Sequence, residues 1–153
     1  MKLIVLIIFL VINFTGLFIG ALYTGEGVGS EWYQDLNKAP WTPPGWFFGV
    51  AWTTIMICFS LYMTKLIKVS KRTSYVLLLF VILWMLNVIW NPVFFYWQDA
   101  VIGLTVITLL TILIGGMLFL NRRAKKSWSL LLLPYFVWLC VATSLNLFIV
   151  IYN

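Results

Sequence analysis

The sequence predicts an all-α membrane protein, a bundle of five transmembrane helices, and two observations support this prediction. The first is composition, because 63% of the 153 residues are hydrophobic and 9% are charged, whereas about a quarter of a soluble domain is charged. The second is the layout of charge. All ten basic and four acidic side chains lie at the N-terminus or in four gaps, and each stretch between them holds the roughly 20 residues that cross a ~30 Å hydrocarbon core.

The predicted helices fill nearly the whole chain. We therefore predict a single transmembrane domain, residues 1–153, with no room for a separate soluble module. The helices span approximately 3–23, 43–65, 73–96, 100–121 and 127–151, and one long loop, 24–42, joins the first two.

Charge asymmetry predicts the orientation of the bundle. Nine of the ten basic residues share one side with the N-terminus, while Lys38 lies on the other side with all four acids. Because an excess of Lys and Arg marks cytoplasmic loops, we expect a multi-pass protein of the cell membrane, with its N-terminus in the cytoplasm and its C-terminus outside. The basic loops then contact anionic lipids, and we expect no nucleic-acid partner. The apolar run after Lys2 is too long for a signal peptide.

The first helix and the loop after it each allow two interpretations. Gly16 and Gly20 have the GxxxG spacing that lets another helix approach closely, either within the monomer or across a homodimer. The loop combines Gly, Trp and mixed charges. It is either a lid over the bundle, since long loops in compact proteins are often lids, or a plain connector.

Helices two and three each gather aromatic and polar residues on one face. Pro43 and Pro44 suit the start of helix two, because a proline in the first turn gives up an amide that has no partner there. Pro92 removes a hydrogen bond to the carbonyl of Val88, which predicts a kink in helix three. Three- and four-residue steps put Phe48, Gly49 and Trp52 on one face of helix two, and Trp84, Asn87, Trp90 and Asn91 on one face of helix three.

Helices four and five differ in whether they carry candidate site residues. Helix four is rich in Leu, Ile and Thr without a chemical motif, and its threonines can bond their own backbone, so we interpret it as a packing helix. Helix five carries a stripe of Tyr135, Trp138, Ala142, Leu145 and Asn146.

Missing side chains exclude several chemistries. The chain has no histidine, and apart from Lys65, the last residue of predicted helix two, no acid or base lies within a predicted helix. A proton-driven transporter needs a titratable group in the membrane, and Ser-His-acid hydrolysis needs an imidazole, so both are excluded. Cys58 and Cys140 have no thiol partner at metal-ligand spacing. We therefore expect neither a metal site nor a cofactor.

Tryptophan and asparagine remain as the candidate site residues inside the helices. They either line an apolar pocket for a flat small molecule, on which indole faces can stack, or they fill space and tie helices together. Spacing alone leaves both interpretations open. The residues are Trp52, Trp90, Trp138, Asn87, Asn91 and Asn146.

Four sequence motifs resemble the translocator protein family, also called tryptophan-rich sensory proteins or peripheral benzodiazepine receptors. The run APWTPPGWFFGVAWTTIMICFSLY, residues 39–62, is similar to the second-helix signature of that family. The other three are GEG before WY in the first loop, LNVIWNPVFF in helix three and PYFVWLCVATSLN in helix five.

The resemblance implies a five-helix bundle, frequently dimeric, with a pocket that opens toward the first loop. It also implies binding of porphyrins, isoquinoline carboxamides and benzodiazepines and, in animal members, cholesterol. Leu147 stands where the animal cholesterol motif has a tyrosine, and no basic residue follows, so a bacterial tetrapyrrole-binding member is the closer match. The matched pocket positions are Phe48, Gly49, Trp52, Asn87, Trp90, Trp138, Ala142 and Leu145, with Tyr23, Trp32 and residues 40–43 as the lid or its hinge.

Three functions follow as hypotheses. The leading one is a membrane receptor that binds a porphyrin, or another planar apolar molecule, between the helices beneath the first loop. The second is an enzyme that degrades the bound porphyrin in light, with Trp52 and Trp138 as the catalytic residues. The third is transport of tetrapyrroles or sterols, for which the sequence supplies no energy source.

Overall fold

A computed structural model describes residues 2–120 and 126–153, and it folds them into a bundle of helices. Within those ranges no residue is in a strand, and five helices are long and apolar enough to cross a membrane, which confirms the predicted fold class. The predicted basic positions Arg122, Arg123 and Lys125 lie outside the described residues. The helices are α1 Lys2–Val28, α2 Glu31–Asp35, α3 Gly45–Val69, α4 Thr73–Asn91, α5 Ala100–Leu120, α6 Lys126–Ser129 and α7 Leu133–Tyr152.

Helix α1 extends beyond the predicted residue 23 and ends at Val28. Its 27 residues measure about 40 Å at 1.5 Å per residue, more than the hydrocarbon core requires. Thr24 fastens the extension to the third span, because its hydroxyl donates to Asn91 Oδ1 at 2.8 Å. The loop that remains, residues 29–44, is therefore shorter than predicted, and we call the end of the bundle that carries it the loop end.

The GxxxG pair of α1 packs against α4 inside the monomer. A methyl group on Gly16 would stand 2.6 Å from Trp84 Nε1, and one on Gly20 would stand 2.6 Å from Asn91 Nδ2. Because the two helices lie so close, Trp84 can donate its indole N–H to the carbonyl of Ile12 at 2.9 Å. Of the two interpretations of the glycine spacing, the structure thus supports close approach within one chain.

Pro92 changes the winding of the third span. After α4 the chain continues as a π-helical turn, Pro92–Tyr96, which the backbone N–H of Trp97 closes by donating to the carbonyl of Pro92 at 2.9 Å. Such turns insert an extra residue into a helix and are frequent at functional sites. Here the turn buries Phe94 and Phe95 together, and it lies where the sequence predicts a kink.

The buried core is concentrated in the half of the bundle away from the loop. Apolar side chains from all five spans meet there, and less than half of each span is fully buried, as expected where lipid is the solvent. A second, smaller cluster lies at the loop end. It consists of Phe94, Phe95 and Ile149, against which Trp32, Tyr33 and Leu36 of the loop pack.

We expect Gly27→Ala to destabilise the bundle, with Gly25→Ala as the matched control in the same helix. A methyl group on Gly27 would overlap the Cβ atom and ring of Phe95, whereas nothing lies within 4 Å of one on Gly25. Overpacking costs about 1–3 kcal/mol. The melting temperature in detergent, followed by circular dichroism, should fall by roughly 2–8 °C for Gly27→Ala and should not fall for Gly25→Ala. Equal falls in both variants would contradict close packing of α1 on the π-helical turn.

Candidate functional site

The loop between α1 and α3 folds across the loop end of the bundle. Ser30 begins the short helix α2 by accepting a hydrogen bond from the backbone N–H of Tyr33 at 3.3 Å. Helix α2 then sets Trp32 against Phe94 and Tyr33 against Phe95, with ring centroids 5.5 Å apart in both pairs. This arrangement agrees with the lid interpretation of the loop and not with that of a plain connector.

A small cavity lies between this loop and the spans, and we call it the loop cavity. Its volume is about 60 Å³. Loop residues form its roof, and three spans form its walls and floor. The roof consists of Tyr33, Lys38, Ala39 and Thr42. The spans contribute Phe48 from α3, Trp90, Phe94 and Phe95 from the third span, and Ala142, Leu145, Asn146 and Ile149 from α7.

Partly buried hydrogen bonds of Asn146 hold the floor of the loop cavity. Trp90 donates its indole N–H to Asn146 Oδ1 at 3.2 Å, and Asn146 Nδ2 donates to the carbonyl of Ala100 at 2.8 Å. Trp90 also stacks on Phe94, with centroids 5.1 Å apart and planes 14° apart. One asparagine of α7 is therefore tied to two other spans, and it fixes the indole that faces the cavity.

The roof of the loop cavity carries a charge. The ammonium of Lys38 lies 4.6 Å from the ring centroid of Tyr33, and it donates to the carbonyl of Gln34 at 3.3 Å. Burial raises the pKa of Tyr33 above its usual value. The roof therefore presents a cation and an aromatic ring, whereas the floor is almost wholly apolar.

Five of the candidate site residues predicted within the helices line the loop cavity. They come from three different spans, which the predicted helix faces bring together at the loop end. These five are Phe48, Trp90, Ala142, Leu145 and Asn146, and Thr42 of the predicted lid, residues 40–43, lines the cavity too.

Two further predicted residues, Trp52 and Trp138, lie outside the loop cavity. Trp138 lies behind Phe48, and Trp52 lies behind Trp138. Phe48 contacts Trp138 edge to face at 5.1 Å, and Trp138 contacts Trp52 edge to face at 6.4 Å. Trp138 is buried, and its Nε1 atom has no hydrogen-bond partner among the described residues. The rings of its neighbours enclose this N–H in an apolar environment.

The remaining predicted residues do not line the loop cavity. Tyr23 packs on Tyr96 near the surface, and Trp32 packs on Phe94 within the lid. Gly49 is exposed, and nothing lies within 4 Å of a methyl group built on it. Asn87 is half-buried one turn before Trp90, and its backbone carbonyl accepts from Asn91 Nδ2 at 3.4 Å.

Sequence reasoning missed four residues of the loop cavity, for two reasons. Phe95, five residues after Trp90, depends on the π-helical turn, which breaks the regular period after Pro92. Tyr33, Lys38 and Ala39 belong to an aperiodic loop, and the isolation of Lys38 from all other basic residues indicates only topology. Phe94 and Ile149 continue the faces of helices three and five at regular helical spacing, one turn beyond Trp90 and Leu145.

A second, larger concavity opens on the side of the bundle, and we call it the lateral groove. Its volume is about 560 Å³, and it lies between α3 and α7. Its walls are nearly all apolar and include Phe47, Val50, Pro134, Val137 and Trp138. Trp138 therefore separates the lateral groove from Phe48 and the loop cavity.

Contacts with α7 hold the second half of the loop, and we call them the latch. The backbone N–H of Asn37 donates to Asn153 Oδ1 at 2.8 Å, and Asn153 Nδ2 donates back to the carbonyl of Asn37 at 3.3 Å. Further along, Trp41 donates its indole N–H to Ser144 Oγ at 3.1 Å. All three bonds are exposed, so water can replace them when the loop moves.

Comparison with known proteins agrees with this architecture. The chain matches the TspO/MBR family over residues 6–152. It is 35% identical to the tryptophan-rich protein TspO of Chlorobaculum tepidum, an alignment that covers 84% of this chain and 83% of that protein.

Other relatives come from distant organisms. The chain is 36% identical to the translocator protein of Bos taurus, over 86% of this chain and 79% of that protein. It is 28% identical to the tryptophan-rich sensory protein of Cereibacter sphaeroides, over 76% and 73% of the two chains. Since the family match covers nearly the whole chain and the five spanning helices fit it, this chain belongs to the TspO/MBR family.

Proposed function

We propose that this chain is a membrane receptor that binds a porphyrin, or a similar flat and largely apolar ring compound, in the loop cavity. The observation that carries the proposal is the pairing of an aromatic floor, tied by hydrogen bonds between spans, with a roof that exposed hydrogen bonds hold. Trp90 and Phe94 stack in parallel at 5.1 Å, and Phe48 stands across the cavity. Aromatic walls of this kind favour flat ring systems, and a few fixed polar groups orient the ligand.

The size of the loop cavity determines how binding occurs. Small-molecule sites usually enclose about 300–1,000 Å³, and this cavity has about 60 Å³. The floor is tied by the hydrogen bonds of buried Asn146 to two other spans, so the loop is the part that moves. A ring compound therefore binds with the latch opened, and the cost of opening lowers its apparent affinity.

Porphyrin degradation in light is a second function considered for this chain, with Trp52 and Trp138 as the reacting groups. Neither residue lines the loop cavity, and Phe48 stands 5.1 Å from Trp138 on the cavity side. A ring bound beneath the loop meets Phe48 before either indole. This geometry favours binding over chemistry at those two tryptophans.

We further propose the orientation that the charges indicate. Lys65, Lys71 and Arg72 lie at the end of the bundle opposite the loop, and Glu31 and Asp35 lie in the loop. The positive-inside rule then puts the loop outside the cell membrane and the N-terminus in the cytoplasm.

Filling the loop cavity should abolish porphyrin binding. Ala142→Phe adds a ring to a cavity wall, whereas Leu147→Phe on the same helix changes an outward-facing side chain that is 44% exposed. Protoporphyrin titrations monitored by tryptophan quenching should show at least a ten-fold weaker affinity for Ala142→Phe and no change for Leu147→Phe. Circular dichroism confirms that both variants are folded. Unchanged affinity in a folded Ala142→Phe variant would reject the loop cavity as the site.

Weakening the latch should speed and strengthen binding. Asn153→Ala removes three exposed hydrogen bonds to Asn37, and such bonds contribute about 0.5–1.5 kcal/mol each. The loop then opens more often, so we expect an association rate and an apparent affinity for protoporphyrin about 3–10-fold higher.

Stopped-flow mixing with protein in nanodiscs measures the association rate. Thr105→Val is the control, because the hydroxyl of exposed Thr105 bonds only its own helix, at Val101. An association rate that is unchanged or slower in Asn153→Ala would show that latch opening does not limit binding.

Cysteine labelling tests the orientation. In a background with Cys58→Ala and Cys140→Ala, a cysteine at Asp35 should react with a membrane-impermeant maleimide in intact cells. A cysteine at Lys71 should react only after permeabilisation. The reverse pattern would invert the proposed topology without affecting the proposed ligand.

A further inference from the structure

Lys38 is the only charged residue among those that line the loop cavity in the described part of the chain. Its ammonium has three N–H donors and no acceptor. One donor is used on the neutral carbonyl of Gln34 at 3.3 Å, and the charge lies 4.6 Å from the Tyr33 ring centroid. Neither partner is an anion, so the positive charge is only partly compensated.

The nearby acids do not neutralise this charge. Glu26, Glu31 and Asp35 are exposed on the loop end of α1 and on α2. Among the described residues, Lys38 forms no ion pair with any of them. The side chain of Lys38 is half-buried while the hydrogen bond of its ammonium is exposed, so the charge lies at the edge of the cavity, where an anionic group of a ligand can reach it.

The structure assigns to Lys38 the recognition of a carboxylate on the bound ring compound, and this inference depends on the proposed function above. We infer that the loop cavity prefers ring compounds that carry an acidic side chain over their uncharged analogues. The chemistry is complementary on both sides, because an ammonium and a carboxylate form a charge-assisted hydrogen bond.

The position of Lys38 also determines how the ring lies. The cation belongs to the roof, which adjoins water, and Phe48 and Trp90 belong to the wall and floor. A ligand with an acidic edge and an apolar body therefore binds with the edge toward the loop and the body toward the spans. The reverse orientation would bury a carboxylate against aromatic carbon, which is costly.

A pair of probes that differ only in charge tests this inference. Protoporphyrin IX carries two free carboxylates, and its dimethyl ester carries none. Both are titrated into the full chain in phosphatidylcholine nanodiscs, by tryptophan quenching, for wild type, Lys38→Met and Lys38→Arg. Lys65→Met, an exposed lysine at the opposite end of the bundle, is the matched control.

We expect Lys38→Met to bind the free acid about ten-fold more weakly, which corresponds to the loss of one charged hydrogen bond, and to bind the ester as wild type does. Lys38→Arg should keep most of the affinity for the acid, and Lys65→Met should change neither. In wild type, added salt should weaken binding of the acid more than binding of the ester.

Three results would overturn the inference. An equal loss for acid and ester in Lys38→Met would make Lys38 part of the lid packing and not a charge contact. No loss for either compound would remove Lys38 from recognition, while the receptor function would stand. Failure of both compounds to bind wild type would reject the receptor function, and this inference with it.

Discussion

Hydrocarbon offers no hydrogen-bond partner, and this constraint governs where the polar side chains of the spans lie. Asn13 Nδ2 donates to Ser60 Oγ at 2.8 Å, and Asn146 Nδ2 donates to the carbonyl of Ala100 at 2.8 Å. Each of these bonds joins two different spans. A hydrogen bond that satisfies a polar side chain in this bundle therefore also fixes how two helices pack. The few residues that form these bonds, such as Asn13 and Asn146, determine the register of the spans.

The same constraint makes the two sides of the loop cavity unequal. Asn146 is buried, so moving it would leave an amide without a partner, and the floor of the cavity stays in place. Asn37 and Asn153 are exposed, so water can take over their bonds at little cost. A rigid floor and a releasable roof thus result from one difference, which is access to water.

Features that belong to one stretch of chain could be predicted from the sequence, whereas features that depend on a change of period could not. Five spans follow from length and charge, and Phe48 and Ala142 follow from regular helix faces and family motifs. Phe95, five residues after Trp90, reaches the cavity through the π-helical turn at Pro92, which departs from the regular helical period. Gly49 directly follows Phe48, but one residue along a helix turns the direction by about 100°, and Gly49 is exposed.

Under the proposed receptor function, the latch also links the affinity of the site to residues that a ligand does not touch. The loop cavity is smaller than a ring compound requires, so part of the binding free energy of such a ligand would be spent on opening the loop. The apparent affinity is then the intrinsic affinity multiplied by the open fraction. Asn153 and Ser144 lie on the same helix as Ala142 and Leu145, which line the cavity. Helix α7 therefore supplies both residues that line the cavity and residues that hold the loop closed. A displacement of this helix would change the intrinsic affinity and the open fraction together.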